Sequence, residues 1–224
     1  MSADDFQLLR RHMLAEISAG ALYVRDVIGK PALDERVMAA MAKVPRHEFV
    51  PVELQAYAYA NIPLPIGFDK TVSQPFIVAL MTDLLDIGAG DAVLEIGTGL
   101  GYHAAVLAQL AGKVYSVEII EELAQQARQR LHRQGCVNVE LRIGNGYRGW
   151  SEHAPFDKVL VAAAPDLIPP PLLQQLKAGG RMVVPAGLPD AQQLMLVEKD
   201  AGGRVSMREI LPVRFSPLEE PESS

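Results

Sequence analysis

The sequence has 224 residues, 49% of them hydrophobic, and a formal net charge of −6, which allows one large domain with a sizeable core. Lys and Arg are scattered and outnumbered by acids, so we expect no nucleic-acid partner, because such binders carry a basic face. No apolar run approaches the roughly 20 residues of a membrane span. The acidic start MSADDFQLLRR lacks a signal core, and the single cysteine fits a cytoplasmic location without disulfides. We expect no metal site, because His and Cys lack ligand spacing.

Helices dominate the predicted first quarter of the chain. The stretches DDFQLLRRHMLAEI (4–17) and DERVMAAMAKV (34–44) carry apolar residues at helical spacing. Pro45 ends the second helix. The following segment, 44–75, has little periodicity and many prolines. Segments of this length without regular structure are typically functional or disordered, and the apolar content here argues against disorder.

Strands and helices alternate after a helix that starts near Ser73-Gln74-Pro75. The patterns predict strands at 92–96, 113–119, 137–143, 157–164 and 181–187, helices at 102–110, 121–135 and 169–180, and a hairpin of 192–200 with 204–215. This order predicts an α/β fold, Rossmann-like and doubly wound, with a mostly parallel sheet, an antiparallel edge hairpin and N-terminal helices.

The most informative motif is VLEIGTGLGYHAA at 93–105. Its three alternate glycines lie between a predicted strand and a predicted helix, where they let the backbone bend and a ligand approach. The spacing differs from the dinucleotide fingerprint G-x-G-x-x-G, which would need glycine at Tyr102. An acid before the glycines, no phosphate-binding Lys-Ser/Thr after them, and a second acid at Glu118 together resemble the S-adenosylmethionine site of class I methyltransferases.

Four loops are expected at the carboxyl edge of the sheet, where such folds bind ligands. Glu118 offers charged acceptors to both ribose hydroxyls, and Asn145 offers a donor and an acceptor to adenine. The helix N-terminus after the glycines suits the methionine carboxylate. We predict these cofactor-binding residues: Gln74, Glu95, Gly97, Thr98, Gly99, Gly101, Glu118, Asn145, Gly146 and Ala162. The alternatives are a mere tight turn at the glycines, a solvated strand-end acid at Glu118, and a turn former at Asn145.

The stretch NIPLPIGFDKTVSQPFIVALM (61–81), with VPRHEFVP (44–51) and VRFSPL (213–218), goes beyond a generic methyltransferase. Together with GNGYRGWSEHAPFDKV at 144–159, these motifs resemble the protein-L-isoaspartate O-methyltransferase family from about 44 to 218. The resemblance implies a protein repair enzyme that methylates the free α-carboxyl of L-isoaspartyl residues, leading through a succinimide back toward aspartate. Its partners would be isoaspartyl peptides and proteins, and we expect a monomer.

The resemblance also implies roles for individual residues. Ser73 matches the family's active-site serine, with a helix N-cap as its alternative role. The implied substrate-binding residues are Pro63, Leu64, Pro65, Ile66, Val213, Arg214 and Phe215. Many members have Asp at the position of Asn145 and a hydroxyl residue at that of Ala162. We expect one domain with three parts: N-terminal helices and substrate segment (1–75), cofactor-binding core and hairpin (76–218), and a flexible tail (219–224).

Two other functions fit parts of the pattern. One is a different carboxyl or small-molecule methyltransferase on the same fold, against which only the 61–75 segment argues. The other is a non-catalytic S-adenosylmethionine-binding module. A nicotinamide dehydrogenase is disfavoured by the glycine spacing and by the lack of an acid–base pair. An isoaspartyl α-carboxyl needs no general base, since its pKa of about 3.5 leaves it ionised at pH 7. For Trp150 we expect packing, and for His103 a surface or packing role rather than that of a base.

Overall fold

The computed structural model describes residues 1–220. A small antiparallel hairpin, β1 (Leu64–Gly67) with β2 (Lys70–Val72), precedes the main sheet. The main sheet contains seven strands: β3 (Ala92–Ile96), β4 (Lys113–Glu118), β5 (Val139–Ile143), β6 (Phe156–Val161), β7 (Leu176–Ala186), β8 (Gln193–Lys199) and β9 (Val205–Pro212).

The strand order is β5-β4-β3-β6-β7-β8-β9. The pairs from β5 to β7 are parallel, and β8 and β9 add antiparallel strands at one edge. The chain passes from β3 to β4 on one side and later returns to β6 on the other. This reversal creates the switch point at which open α/β sheets bind ligands.

Among residues 1–220, six α-helices accompany the strands: α1 (Ala3–Ile28), α2 (Glu35–Lys43), α3 (Pro75–Leu85), α4 (Tyr102–Leu107), α5 (Glu121–Arg133) and α6 (Pro170–Gln175). Ser2 and Asp5 form a capping box at the start of α1, and Gly29 ends it in the left-handed conformation. None of the helices described within residues 1–220 combines the length and apolar character of a membrane span.

Two apolar clusters cover the faces of the sheet. Along β3, Val93 packs into the larger cluster with α1 to α5, whereas Leu94 and Ile96 pack into the smaller one with α6. The alternation follows from the two-residue period of a strand. Trp150 belongs to the smaller cluster, and the buried His103 lies 2.9 Å from the Thr82 hydroxyl through Nε2. Both residues therefore pack, as expected.

The predicted fold class is confirmed, and two local predictions are wrong. The helix predicted at 169–180 ends at Gln175, because Leu176 pairs with Phe156 in the sheet and Lys177 forms an ion pair with Asp157 at 2.6 Å. The segment 44–75 is more regular than predicted. It holds two 3-10 turns, Arg46–Phe49 and Val52–Tyr57, and the hairpin β1–β2.

The predicted flexible tail, 219–224, is only partly described. Glu219 forms an ion pair with Lys70 next to the hairpin. Residues 221–224 lie outside the described part of the chain.

Candidate active site

A cavity of about 510 Å³ lies at the carboxyl edge of the parallel strands. Each of four strands contributes its following loop or its last residue: Gly97 and Gly99 after β3, Glu118 at the end of β4, Gly146 after β5, and Ala162 after β6. The four loops therefore meet at one edge, as the sequence predicted.

The glycine loop leaves room for a ligand by lacking side chains. Gly97 and Gly99 have φ angles of 90° and 56°, and both face the cavity. A Cβ on Gly99 would lie 3.2 Å from Ile66 Cδ1 across the opening. Gly101 does not line the cavity; a Cβ there would lie 3.1 Å from Leu131 Cγ of α5. The third glycine thus permits close packing of the loop against a helix rather than contact with a ligand.

Glu118 is buried rather than solvated, with 5% of its surface exposed. Its Oε2 accepts the N–H of Gly99 at 2.7 Å, and its Oε1 accepts the N–H groups of Ile119 and Ile120 at 2.9 and 3.0 Å. Burial raises the pKa of Glu118, and the three N–H groups oppose that rise. The acid therefore holds the glycine loop against the end of β4 while it faces the cavity.

Glu95 and Thr98 lie behind the cavity rather than on its wall. Glu95 is fully buried, and its Oε2 accepts a short hydrogen bond from the Ser116 hydroxyl. The Ser116 hydroxyl also shares a hydrogen bond of 2.5 Å with the Thr98 hydroxyl. Burial raises the pKa of Glu95 to about 8. This buried chain connects β3, β4 and the glycine loop.

Asn145 and Gly146 follow β5 but differ in position. The side-chain Oδ1 of Asn145 accepts the Tyr147 N–H at 2.9 Å and caps a 3-10 turn. Asn145 does not line the cavity, whereas Gly146 does. The alternative of a turn former at Asn145 is thus supported. A Cβ on Gly146 would lie 2.5 Å from Ile96 Cγ2, so only glycine fits there without a shift.

Ser73 and Gln74 line the opposite side of the cavity. Helix α3 begins after Gln74, not Ser73, and no side-chain cap is supplied from position 74. In the first turn, the N–H of Phe76 instead donates to Asn61 Oδ1 at 3.0 Å. Ser73 is therefore not the N-cap, and the alternative structural role given above is wrong.

The two predicted substrate segments differ in how fully they reach the cavity. Pro63 and Ile66 line it, whereas Leu64 and Pro65 do not. Leu64 is buried and Pro65 is exposed. Val213, Arg214 and Phe215 all line the cavity, followed by the segment up to Glu219.

Main-chain hydrogen bonds fix the segment 213–218. Ala164 N–H donates to the Ser216 carbonyl at 2.9 Å, and the N–H of Leu218 donates to the Ala164 carbonyl at 2.8 Å. The buried Gln192 side chain accepts the Phe215 N–H at 2.7 Å and donates to the Phe215 carbonyl at 3.1 Å. Sequence reasoning missed Gln192 and Asn61, whose partners are backbone atoms that no side-chain motif reveals.

The charged residues on the cavity wall are Lys70, Glu118, Arg214 and Glu219. Within residues 1–220, no His or Cys lines this cavity, and no cluster of three metal-ligating side chains occurs. Besides these charged groups, the wall offers hydroxyl, amide and backbone groups that can position a ligand.

The sequence model of the family described as protein-L-isoaspartate(D-aspartate) O-methyltransferase matches residues 25–223. The chain belongs to this family. The resemblance inferred from the motifs is confirmed, and the chain is a methyltransferase with S-adenosylmethionine as its cofactor. Gly97, Gly99 and Glu118 fit such a group, because they line one cavity and offer it a backbone free of side chains and a charged hydrogen-bond acceptor.

Similar proteins extend along nearly the whole chain. Protein-L-isoaspartate O-methyltransferase 1 of Polaromonas sp. strain JS666 is 67% identical over 222 residues, which cover 99% of this chain and 94% of that protein. Protein-L-isoaspartate O-methyltransferase 2 of Syntrophobacter fumaroxidans is 58% identical and covers 97% of this chain and 89% of that protein.

Solved structures of the family share the fold. One protein-L-isoaspartate O-methyltransferase superposes with a TM-score of 0.81 at 28% identity and covers 94% of this chain and 66% of that longer chain. A Plasmodium falciparum homologue, solved in complex with S-adenosyl-L-homocysteine, gives a TM-score of 0.76 at 21% identity and covers 94% of this chain and 98% of that one. The latter comparison supports the fold alone.

Proposed function

We propose that this chain repairs damaged proteins by methylating the free α-carboxyl of L-isoaspartyl residues at the 510 Å³ cavity. One observation carries the proposal: Ser73 lines the same cavity as the glycine loop and Glu118, and the 63–66 and 213–215 segments flank it. The methyl ester formed would collapse to a succinimide, whose hydrolysis partly restores aspartate.

In this proposal, the side chains and backbone of the cavity wall contribute by positioning the acceptor carboxylate relative to the methyl donor. S-adenosylmethionine, when bound, supplies an activated methyl group. The acceptor carboxylate is already ionised at pH 7, so a cavity wall without His or Cys among residues 1–220 suits the reaction. The half-buried Ser73 hydroxyl donates a hydrogen bond to that carboxylate and orients it. Such positioning can account for roughly 7–11 kcal/mol of a barrier in favourable cases.

We assign the cofactor-binding roles to the residues that face the cavity. Gln74, Gly97, Gly99, Glu118, Gly146 and Ala162 line it and are proposed as direct contacts. Glu95, Thr98 and Gly101 are proposed to act indirectly, by holding the glycine loop. Asn145 is proposed to shape the loop that carries Gly146, since its side-chain Oδ1 caps a turn.

The substrate-binding roles are assigned in the same way. Pro63, Ile66, Val213, Arg214 and Phe215 are proposed to contact the peptide, and Leu64 and Pro65 to support β1. We further propose a single domain, a monomer in the cytoplasm, and no nucleic-acid partner, in keeping with the net charge of −6 and the scattered basic residues.

The test is radiolabelled methyl transfer to an L-isoaspartyl peptide and to its L-aspartyl twin. Both peptides carry one ionised carboxylate at that residue, so only geometry can separate them. A misplacement of about 1 Å can cost roughly a hundredfold in rate, and we expect near-complete preference for the isoaspartyl peptide. Equal methylation of both, or methylation only of a small carboxylic acid, would refute the proposal.

A further inference from the structure

Arg46 is a charged side chain with no exposed surface. It begins the 3-10 turn Arg46–Phe49, in the stretch VPRHEFVP, in which the sequence analysis gave no residue a role. Burial lowers the pKa of Arg46, and none of the groups that act on it is a carboxylate within residues 1–220. A buried cation without an ion pair is costly unless other groups compensate its charge.

The groups that compensate the charge come from three separate parts of the chain. Arg46 Nε donates to the Ala58 carbonyl at 2.8 Å, and Nη2 donates to the Ser73 carbonyl at 2.8 Å. The guanidinium carbon lies 4.7 Å from the centre of the Tyr102 ring, within the range of a cation–π contact. Nη1 is buried and lacks a hydrogen-bond partner in the described part of the chain.

Two of these contacts flank the proposed reaction site. Ser73 faces the cavity from the substrate side. Tyr102 is the first residue of α4 and directly follows the glycine loop that faces the cavity from the cofactor side. One rigid, planar side chain therefore touches both the residue that would orient the acceptor and the helix that follows the cofactor loop.

We propose that Arg46 is a positioning residue that sets the Ser73 hydroxyl relative to the glycine loop. The inference rests on the proposed role of Ser73. The guanidinium group of Arg46 holds the Ser73 carbonyl just before α3 by a hydrogen bond. The ring of Tyr102 in turn holds the guanidinium group in place by the cation–π contact. The arrangement explains why an arginine occupies an enclosed site in which an apolar side chain would avoid the desolvation cost.

Arg46→Lys is the primary variant because lysine keeps the charge but replaces the planar fork by one ammonium group. We expect kcat for the isoaspartyl peptide to fall about tenfold or more, as displacement of a reacting group by a fraction of an ångström would produce. The dissociation constant of S-adenosyl-L-homocysteine, measured by calorimetry, should stay at the wild-type value. Assays at saturating cofactor keep a destabilised variant folded by mass action.

Arg130→Lys is the matched control. Arg130 Nη1 donates to the Glu48 carbonyl at 2.8 Å, so it holds the same 3-10 turn by the same kind of bond but does not reach Ser73. This variant should keep the wild-type kcat. Loss of kcat in both variants to the same extent would overturn the inference, because general support of the turn would then explain the effect.

A double-mutant cycle distinguishes this inference from the proposed function. If Arg46 acts through Ser73, Arg46→Lys should cost little additional kcat in a Ser73→Ala background, whereas independent effects would add. Additive losses, an unchanged kcat in Arg46→Lys, or a matching loss of cofactor affinity would each overturn the inference alone. Wild-type protein that does not methylate the isoaspartyl peptide would instead refute the proposed function.

Discussion

Replacing Glu118 by alanine tests two roles of this side chain: anchoring the glycine loop, which contributes to stability, and binding the cofactor. The carboxylate offers about four acceptor sites, and three are taken by the N–H groups of Gly99, Ile119 and Ile120. About one site, on Oε2, therefore remains for a ribose hydroxyl, rather than the two strong bonds that the sequence suggested. Because Glu118 is buried, its removal would also leave these three N–H groups without their acceptor and should destabilise the fold.

The expected changes in cofactor affinity and in stability follow from the number of hydrogen bonds that Glu118 accepts. One hydrogen bond to a charged group contributes about 1.5–3 kcal/mol, so the dissociation constant of S-adenosyl-L-homocysteine should rise roughly 10- to 150-fold. The free energy of unfolding without ligand should fall by at least one such bond, about 1.5–3 kcal/mol. Water from the adjoining cavity can replace the other lost acceptors.

Calorimetric titration and urea unfolding measure the two quantities on one preparation. Glu122→Ala is the matched control, since Glu122 is an exposed acid in the first turn of α5 and its loss removes the same charge. A lowered stability with an unchanged dissociation constant would mean that Glu118 only holds the loop. No change in either quantity would refute the reasoning altogether.

Three further changes have defined outcomes. Ser73→Ala should lower kcat by about 10- to 150-fold, the equivalent of one hydrogen bond to a charged group, while cofactor affinity stays constant in calorimetry; a normal kcat would remove Ser73 from the reaction. Because folded Glu95 has a pKa of about 8 against an ordinary 4.5, it keeps a proton that the unfolded chain releases, and stability should fall as pH rises through this interval. Glu95→Gln should lose that slope in urea unfolding between about pH 5 and pH 8, and parallel profiles would contradict the assignment. Gly146→Ala places a Cβ 2.5 Å from Ile96 and should cost about 1–3 kcal/mol in thermal unfolding, whereas Gly90→Ala, with open space around the new Cβ, should be neutral.

The sequence predicted the alternation of strands and helices well, because the spacing of apolar residues along an element indicates which of its positions are buried. Val93, Leu94 and Ile96 are apolar because the sheet is covered on both faces. The hairpin β1–β2 escaped prediction because Phe68 and Asp69 both have positive φ angles of 54° in its turn. Neither residue belongs to the usual Asn-Gly or Gly-Gly turn signals.

Site residues could be predicted from the sequence where a ligand needs a particular residue type. They could not be predicted where a side chain is positioned by hydrogen bonds to backbone atoms distant in sequence. Gly97, Gly99, Gly146 and Glu118 line the cavity as expected, whereas Gly101 does not. Asn145 was placed on its wall because its amide suits adenine, but that amide caps a turn. Arg46 and Gln192 gave no signal, since their partners are carbonyl and N–H groups distant in sequence.

The anchoring of the segment 213–218 has a consequence for how substrate choice can change. Its hydrogen bonds to Ala164 and Gln192 all use main-chain atoms of the segment. The exposed side chain of Arg214 can therefore be exchanged while the segment keeps its place beside the cavity, whereas Val213 and Phe215 also pack against the core. Natural variation or a laboratory library at position 214 would change the proposed peptide-contacting wall of the cavity while the packing of Val213 and Phe215 is kept.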